Sequence, residues 1–553
     1  RRIRRRPAWM EDYEVQGFEH NDDPLVHFAL FSDCDPVTFE DAMQETKWRN
    51  AMDAEIAAIE KNNTWTLTEL PQGQKTIGVK WIYKTKMKEN GEVDKFKARL
   101  VAKGYKQEYG VDYKEVFAPV ARHDTIRLVI ALAAQYSWPI FQLDVKSAFL
   151  HGDLEEQVYI DQPPGYIKIG NEHKVYKLKK ALYGLKQAPR AWYSRIETYF
   201  LKTGFKKCPY EHTLFTKFED DGKMLIVCLY VDDLSFTGND VSMFEDFKES
   251  MMVEFDMSDL GKMHYFLGIE VVQSTGGIFI SQKKYIQELL CRFHMEKCNA
   301  ANTPVELGLK LTRYCEGKKI DSTVFKQIVG SLMYLTATRP DIMYSVSLIS
   351  RYMENPTEVH LLAAKRILRY LQGTQKLSLY YKKGEKADLI AFCDSDYAGD
   401  QDDRKSTSGY VFLLGSAAVS WSSKKQSIVT LSTTEAEFVA ATSCACQAIW
   451  LKKILTDLKF KTHGPTVIYC DNNSAIKLSK NPVLHGRSKH IDVKYHFLRD
   501  LTRNGTLDLI YCRSEDQVAD MFTKSLKLPA FQKLRDCLGM CTLENKFEGG
   551  CLN

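Results

Sequence analysis

Residues 224–236 read MLIVCLYVDDLSF, and they set two adjacent carboxylates, Asp232 and Asp233, between two apolar runs. This pattern predicts a β-hairpin with the acidic pair at its turn. Like charges held side by side destabilise a fold unless a cation neutralises them, so the turn predicts a divalent-metal site. Three other Asp pairs lie among polar residues, glycine or proline and are interpreted as solvated loop acids, at 22–23, 220–221 and 402–403.

A third acid has the same setting. Residues 138–150 read WPIFQLDVKSAFL, so another apolar strand ends in a carboxylate, Asp144. Phosphoryl transfer by two metal ions needs about three carboxylates that converge on ions roughly 3.5–4 Å apart. Asp144, Asp232 and Asp233 meet that requirement. They predict a polymerase centre in which the ions activate a primer 3′-hydroxyl and stabilise the leaving pyrophosphate.

Three segments in this order resemble the reverse transcriptases of copia-type retrotransposons: QLDVKSAFLHG at 142–152, LYGLKQAPR at 182–190 and YVDD at 230–233. The resemblance covers most of residues 47–526. It implies an α+β, α/β multidomain chain with a right-hand polymerase of fingers, palm and thumb. Asp144, Asp232 and Asp233 would then hold the catalytic metal ions in the palm. The implied cofactor is Mg²⁺, two ions in each active site, with Mn²⁺ as the alternative.

The resemblance also implies contacts to the incoming nucleotide. Phe149 matches the aromatic side chain that blocks the ribose 2′-hydroxyl in reverse transcriptases, and it would select deoxynucleotides by steric exclusion. A plain core phenylalanine is the alternative interpretation. Residues 182–189 resemble the loop that packs on the nucleotide, with Tyr183, Gly184 and Gln187 as candidate contacts.

A basic hairpin precedes these motifs. Residues 77–84 and 96–101 predict paired strands around an Asn-Gly turn at 90–91. The segment carries a dense basic group: Lys80, Lys84, Lys86, Lys88, Lys95, Lys97, Arg99 and Lys103. Because it resembles the fingers of reverse transcriptases, we expect it to bind template backbone and nucleoside triphosphate, chiefly through Arg99 and Lys103. A solvated basic hairpin is the alternative.

The pattern changes from Ala387 onward. Apolar segments at 389–394, 409–414 and 418–422 predict a three-strand meander, followed by a long helix at 433–458. A strand at 466–470, a helix at 488–502, a strand at 507–511 and a last helix near Asp520 complete the series. This order of strands and helices is that of the ribonuclease H fold.

Four acids in this region predict a second two-metal centre. Asp394 and Asp471 lie at strand ends, Glu437 lies in the first turns of the long helix, and Asp520 starts the last helix. Two neighbours are alternatives, namely Asp396 and Glu435. The strand-end position favours Asp394, and the apolar run FVAA at 438–441 favours Glu437.

Four motifs around these acids resemble the RNase H domain of the same family: DSDYAGD at 394–400, STTEAE at 432–437, YCDNN at 469–473 and EDQVADMFTK at 515–524. The resemblance implies metal-activated hydrolysis of the RNA strand in an RNA/DNA hybrid.

Composition indicates several domains without strong bulk charge. The 553 residues are 44% hydrophobic and can bury several cores. A net charge of +5 requires any nucleic-acid affinity to come from local clusters of charge. The expected division is a disordered tether at 1–46, fingers and palm at 47–250, a thumb-like segment at 251–305, a connection at 306–386, an RNase H-like domain at 387–526 and a tail at 527–553.

Cysteine spacing and apolar runs exclude some classes of protein. Fourteen cysteines without a framework spacing indicate a reduced intracellular chain. Neither Cys444 with Cys446 nor Cys537 with Cys541 has the spacing of a zinc site, so no structural zinc is expected. The longest apolar stretch has about eight residues where a membrane helix needs about 20, so no membrane span is expected. Arg1–Arg6 fits a nuclear-import or nucleic-acid-binding arm, or a basic end left by polyprotein processing.

Taken with the family resemblance, the two acidic clusters predict a bifunctional enzyme from a retrotransposon Pol polyprotein. Its implied partners are an RNA template, a transfer RNA primer, deoxynucleotides, DNA, the RNA/DNA hybrid and other parts of the polyprotein. The implied location is a cytoplasmic virus-like particle, and Arg1–Arg6 leaves nuclear import open. A decayed or domesticated nucleic-acid-binding protein is one alternative, and a nuclease with the polymerase half as scaffold is another. All seven acids are intact, which favours the enzyme.

Overall fold

The computed structural model describes residues 35–87, 92–314, 317–385, 388–460, 464–480 and 492–543. The Arg1–Arg6 arm and the Asn-Gly turn at 90–91 lie outside these residues. The described helices are α1 (Phe39–Met43), α2 (Thr46–Lys61), α3 (His123–Tyr136), α4 (Ala188–Lys202), α5 (Val241–Glu254), α6 (Lys283–Arg292), α7 (Ser322–Leu335), α8 (Met343–Ser350), α9 (Glu358–Gly373), α10 (Thr433–Asp457), α11 (Asn473–Lys480), α12 (Asp492–Arg503) and α13 (Leu528–Cys537).

The described strands are β1 (Trp65–Thr68), β2 (Thr76–Ile77), β3 (Val79–Met87), β4 (Val93–Ala102), β5 (Ile140–Val145), β6 (Tyr159–Ile160), β7 (Val175–Leu178), β8 (Lys206–Cys208), β9 (Glu211–Phe218), β10 (Met224–Tyr230), β11 (Asp233–Gly238), β12 (Met257–Lys262), β13 (Tyr265–Phe266), β14 (Ile269–Gln273), β15 (Gly277–Ser281), β16 (Leu377–Lys382), β17 (Leu389–Ser395), β18 (Thr407–Leu414), β19 (Ala417–Lys425), β20 (Thr466–Cys470), β21 (Leu507–Tyr511) and β22 (Met540–Thr542).

The chain divides into two compact units. One comprises Arg1–Phe117 and Phe149–Arg195, and the other comprises Ala118–Ala148 and Ile196–Asn553. The block expected at 47–250 as fingers and palm is therefore shared between the two units. The reason is that β7 pairs with β1 and β6, which draws the segment after Ala148 into the first unit.

The first unit contains a sheet of order β1-β7-β6-β2 and the two-stranded β3–β4 hairpin. The antiparallel hairpin confirms the strand pair predicted at 77–84 and 96–101. The α2 helix buries one face at helical spacing, and its Trp48 packs edge-on against Tyr83 and Phe96, with ring centroids 5.4 and 5.1 Å apart. The α1 helix lies in the segment expected to be a disordered tether. It forms there because Thr38 caps it and Ala42 is buried.

The second unit contains a six-stranded sheet of order β12-β5-β11-β10-β9-β8. The β10–β11 hairpin predicted from residues 224–236 is present, and β10 is buried along most of its length. The outer strand β12 comes from the segment expected to be thumb-like, yet it pairs with β5. The boundary expected at residue 250 therefore does not separate two sheets.

A second sheet of this unit crosses three expected domain boundaries. Its order is β13-β14-β15-β16-β22, so it joins strands from the thumb-like segment, the connection and the C-terminal tail. The tail is ordered over α13 and β22, because Phe531, Leu534 and Met540 are buried. The α6 helix lies in the thumb-like segment, and α9 lies in the connection.

The third sheet of this unit has the order β19-β18-β17-β20-β21. The β17–β18–β19 meander is antiparallel, whereas β20 pairs in parallel with both β17 and β21, which confirms the predicted fold class. The α11 helix was not predicted, and Asp520 lies in a 3₁₀ turn, Val518–Phe522, instead of an α-helix. Among the described helices, α10 alone is long and apolar enough to span a membrane, but its apolar window is mostly buried, as in a core helix.

A buried arginine connects α3 to the third sheet. Arg127 on α3 is 3% exposed. Its guanidinium donates to the carbonyl oxygens of Val419 at 2.8 Å and Ala337 at 2.7 Å, pairs with Asp124 at 2.8 Å, and lies 3.8 Å from the ring centroid of Trp421. These contacts hold α3 against β19 of the third sheet.

Candidate active sites

The first candidate centre is formed by backbone register. The antiparallel pairing of β11 with β5 sets Asp233 directly opposite Asp144. Tyr230 pairs with Asp233, so Val231 and Asp232 form the two-residue turn of the hairpin. Val231 has φ +53°, a conformation rare for a β-branched residue, which shows that the surrounding strands determine the turn. The fold therefore gathers the three predicted acids at one end of the interior strands β5, β10 and β11.

Burial and the neighbouring charges at this end of the strands disfavour ionisation of all three carboxyl groups without a cation. Burial, and next the charge of Asp232, raise the pKa of Asp233 to about 6. Gln142 Nε2 donates to Asp233 Oδ1 at 3.2 Å and opposes the rise. The Asp232 carbonyl accepts the backbone N–H of Val145 at 2.9 Å, which holds the turn. Within the described residues, Asp144, Asp232 and Asp233 do not form a group with all ligand atoms within 4.8 Å.

Three residues predicted to contact the nucleotide lie together in the first unit. The Arg99 guanidinium lies 4.2 Å from the ring centroid of Tyr183, and that ring lies 4.9 Å from the ring of Phe149. Lys103 directly follows β4, and its backbone N–H donates to the Gly78 carbonyl at 2.8 Å. Residues predicted from separate motifs are thus neighbours.

The loop at 182–190 packs closely against residues 102–112. Gly184 has φ +90°, and a Cβ there would lie 2.2 Å from the Ala102 carbonyl oxygen, so only glycine fits. Gln187 is 2% exposed, and its Nε2 donates to the Asp112 carbonyl at 2.8 Å, while Gln107 Nε2 donates to Gln187 Oε1 at 3.0 Å. The structure thus places Gln187 inside the loop, where it supports the loop's conformation.

The β3–β4 hairpin carries unusual pairs of like charge. Lys84 lies directly opposite Lys97, and Lys86 lies opposite Lys95. Burial, and next the charges of Arg99 and Lys95, lower the pKa of Lys97. Like charges directly opposite each other destabilise a strand pair. A polyanion bound on this face would offset that cost.

The second candidate centre lies on the third sheet of the second unit. Ligand atoms of Asp394, Asp471 and Asp520 all lie within 4.8 Å of one another. Glu437, which is 4% exposed, forms a second such group with Cys470 and Asp471. Asp394 is on β17, Asp471 follows β20, Glu437 is on α10 and Asp520 is in the 3₁₀ turn, so elements distant in sequence supply the four predicted acids.

Close packing positions the turn that carries Asp520. A Cβ at Gly409 on β18 would lie 2.6 Å from Phe522 Cβ, so this strand needs glycine for the turn to approach. Gln517 Nε2 also donates to the Cys393 carbonyl at 3.0 Å.

Burial raises the pKa values of these acids. Burial first, and then the charge of Asp394, raise the pKa of Glu437 to about 11 and that of Asp520 to about 7. Glu437 Oε2 is buried without a hydrogen-bond partner. Lys524 Nζ lies 2.8 Å from Asp520 Oδ1 and 3.6 Å from Asp394 Oδ2. Burial lowers the pKa of Lys524, but the two carboxylates raise it by more. The net pKa is raised, so the ammonium form is favoured.

Lys524 pairs with two of the four acids and was not predicted from the sequence. It stands in the EDQVADMFTK motif, four residues after Asp520, and that spacing on a helical turn was the available signal.

The structure also separates the alternative acids. Thr407 N–H donates to Asp396 Oδ1, and Leu431 N–H donates to Glu435 Oε2 at 2.8 Å, so both carboxylates brace nearby loops. Among the described residues, Asp394 and Glu437 belong to the clustered groups, whereas Asp396 and Glu435 do not.

Comparison with known proteins agrees with the palm geometry. Residues 62–307 match the family described as reverse transcriptase (RNA-dependent DNA polymerase). The chain is 44% identical over 514 residues to the retrovirus-related Pol polyprotein from transposon RE1 of Arabidopsis thaliana, covering 93% of this chain and 35% of the relative. A putative transposon Ty5-1 protein of Saccharomyces cerevisiae is 36% identical over 54% of this chain and 98% of its own length. The chain belongs to the reverse transcriptase family of copia-type retrotransposon Pol polyproteins.

A tobacco relative extends the comparison along this copia-type chain. The Pol polyprotein from transposon TNT 1-94 of Nicotiana tabacum is 39% identical, covering 94% of this chain and 40% of the relative. The chain thus spans little more than a third of these polyproteins.

Solved structures are only weakly similar. Prototype foamy virus protease-reverse transcriptase aligns with 87% of the copia-type chain and 55% of its own, at 11% identity and a TM-score of 0.26. LC11-RNase H1 from compost aligns with 26% of this chain and 96% of its own, at 14% identity and a TM-score of 0.20. Element order and strand register define the fold of the described residues.

Proposed function

We propose that this copia-type chain copies RNA into DNA and cleaves the RNA strand of the resulting hybrid at two separate centres. The observation that carries the proposal is the register that sets Asp233 opposite Asp144, with Asp232 in the adjoining turn, in a chain of the reverse transcriptase family. The cluster of Asp394, Asp471 and Asp520 supports the second activity.

In the polymerase centre, Asp144, Asp232 and Asp233 would hold two Mg²⁺ ions, or Mn²⁺ in their place. The raised pKa of Asp233 fits this role, because its ionised form lacks compensating charge. When bound, such ions activate the primer 3′-hydroxyl and stabilise the leaving pyrophosphate. The chain itself supplies the alignment, since Gln142 orients Asp233 and the Val145 N–H holds the Asp232 turn.

The cluster of Arg99, Tyr183 and Phe149 would select and position the nucleotide. The Phe149 ring would exclude a ribose 2′-hydroxyl, and Arg99 with Lys103 would bind the triphosphate. The opposed lysines of the β3–β4 hairpin would neutralise template phosphates, which offsets their mutual repulsion.

In the hydrolytic centre, Asp394, Glu437, Asp471 and Asp520 would hold two Mg²⁺ ions. The buried, unpartnered Glu437 Oε2 fits a cation ligand. Ions held by these residues would supply activation of a water for attack on the phosphodiester. Lys524 compensates the charges of Asp394 and Asp520, and recognition of RNA 2′-hydroxyls would direct cleavage to the RNA strand.

The proposed partners are an RNA template, a transfer RNA primer, deoxynucleotides, DNA, the RNA/DNA hybrid and the remaining parts of the polyprotein. The proposed setting is a cytoplasmic virus-like particle, with nuclear import through Arg1–Arg6 as an additional route. These assignments extend beyond the portion of the polyprotein that this chain spans.

Matched substitutions test the two centres independently. Asp232→Asn is expected to abolish primer extension on an RNA template and spare hybrid cleavage, and Asp471→Asn is expected to do the reverse. Asp220→Asn, in an exposed turn, is the control and should preserve both activities. Loss of both activities from either site variant would contradict the two-centre proposal. Hybrid that is bound but neither extended nor cleaved by the wild type would favour a domesticated binding protein.

A further inference from the structure

A cysteine thiol lies within the hydrolytic centre. Cys470 is the last residue of β20 and is fully buried. Its Sγ lies within 4.8 Å of a carboxylate oxygen of Glu437 and of one from Asp471. The Asn472 N–H donates to the same sulfur at 3.4 Å, which helps to fix its position.

The donor set differs from the one that Mg²⁺ prefers. Mg²⁺ binds oxygen ligands, whereas Zn²⁺ and Cd²⁺ bind a thiolate strongly and accept carboxylates beside it. A group of one sulfur and two carboxylates, completed by water, matches a four-coordinate zinc site. Glu437 Oε2 is buried and unpartnered, an independent sign that the group accepts a ligand. We propose that Glu437, Cys470 and Asp471 bind a soft divalent cation, Zn²⁺ or Cd²⁺, and that this ion inhibits RNA cleavage.

The inhibition follows from a shared ligand. Asp471 belongs both to the thiol-containing group and to the all-carboxylate group with Asp394 and Asp520. An ion held by Cys470 therefore takes Asp471 and Glu437 away from the hydrolytic metals. Coordination displaces the thiol proton to solvent.

Packing around Cys470 favours this geometry over a surface thiol. Cys393 on β17 and Cys444 on α10 lie close enough to Cys470 to interact with it electrostatically. Both neighbours are buried, and the Cys470 sulfur lies within 4.8 Å of the two carboxylates.

The binding part of this inference stands by itself, whereas the inhibition depends on the proposed nuclease function. Binding is therefore measured without substrate, by the sulfur-to-cadmium ultraviolet absorption band during Cd²⁺ titration of the whole chain. Cys470→Ser is expected to remove the band of the tightest site and weaken Cd²⁺ binding there at least about tenfold. Cys446→Ser, which removes an exposed thiol on α10, is the control and should leave the tightest site unchanged. A band of undiminished affinity in Cys470→Ser would overturn the proposal.

A second measurement uses only the wild type, in case Cys470→Ser does not fold. X-ray absorption at the cadmium edge, with one Cd²⁺ per chain, should show one sulfur among oxygen ligands. A shell of oxygen alone, or of several sulfurs, would refute the site. In hybrid-cleavage assays with excess Mg²⁺, Zn²⁺ should inhibit the wild type and inhibit Cys470→Ser at least about tenfold less. Cd²⁺ binding to a protein without cleavage activity would support the ion site and count against the nuclease function.

Discussion

Replacing Glu437 by glutamine should stabilise the metal-free protein, although the proposed function predicts loss of hybrid cleavage. In the folded state, burial raises the pKa of Glu437 from 4.5 to about 11. Between these values the folded state holds a proton that the unfolded state has released. Stability is therefore fully present below pH 4.5 and falls as the pH rises toward the folded pKa.

The size of the effect follows from the unfolded state. Each pH unit above the unfolded pKa costs about 1.4 kcal/mol while the folded carboxyl stays protonated. At about pH 7 the wild type thus loses about 3 kcal/mol through this one group. The glutamine side chain has nearly the same shape and no proton to take up. Glu437→Gln should therefore be more stable than the wild type by that amount near neutral pH, and nearly equal to it at pH 4.5.

Urea unfolding in EDTA, followed by tryptophan fluorescence at about pH 5, 6 and 7, measures this difference. The control is Glu435→Gln, on the same helix, whose carboxylate accepts the Leu431 N–H and should cost stability when neutralised. Equal stability of Glu437→Gln and wild type at neutral pH, or a gap that does not grow with pH, would refute the reasoning. Saturating Mg²⁺ should stabilise the wild type more than Glu437→Gln, because the ion favours the ionised carboxylate.

Three further outcomes are expected. Arg127→Met should destabilise the second unit by about 3–5 kcal/mol in urea unfolding, because it leaves two buried carbonyl oxygens without a donor and Asp124 without its ion-pair partner. An unchanged midpoint would show that these contacts contribute little. Phe149→Val should raise ribonucleotide incorporation relative to deoxynucleotide at least about tenfold in primer extension, whereas a general loss of extension without altered selectivity would indicate a core role. Lys524→Met should lower the Mg²⁺ concentration for half-maximal hybrid cleavage and destabilise the protein in EDTA, because the ammonium competes with the ions for Asp520; a shift in the opposite direction would assign Lys524 to substrate binding.

Local patterns predicted much of the second unit. Apolar runs ending in acids identified the β10–β11 hairpin, β5 and the C-terminal meander, because the hydrophobic pattern of a buried strand is visible within a few residues. The α11 helix was missed because its eight residues are short, and the β22 strand was missed because three residues carry no periodicity.

Side-chain roles were predicted less completely than strands. Gln187 was expected to contact nucleotide, yet it is buried, because its hydrogen-bond partners come from residues about 75–80 positions earlier. The sequence around Gln187 does not indicate hydrogen bonds to residues this far away in the chain.

The sequence alone determined the positions of the seven acids at strand ends and helix starts, because charge beside an apolar run is a local property. Only the tertiary structure decided which acids meet. It set Asp233 opposite Asp144 through strand register, and it brought Glu437 rather than Glu435 to Asp471 through the packing of α10 on the sheet. It also joined the C-terminal β22 to β16, although the two strands are far apart in the chain. Pairing between distant segments depends on how whole buried faces fit together, which no short stretch of sequence specifies.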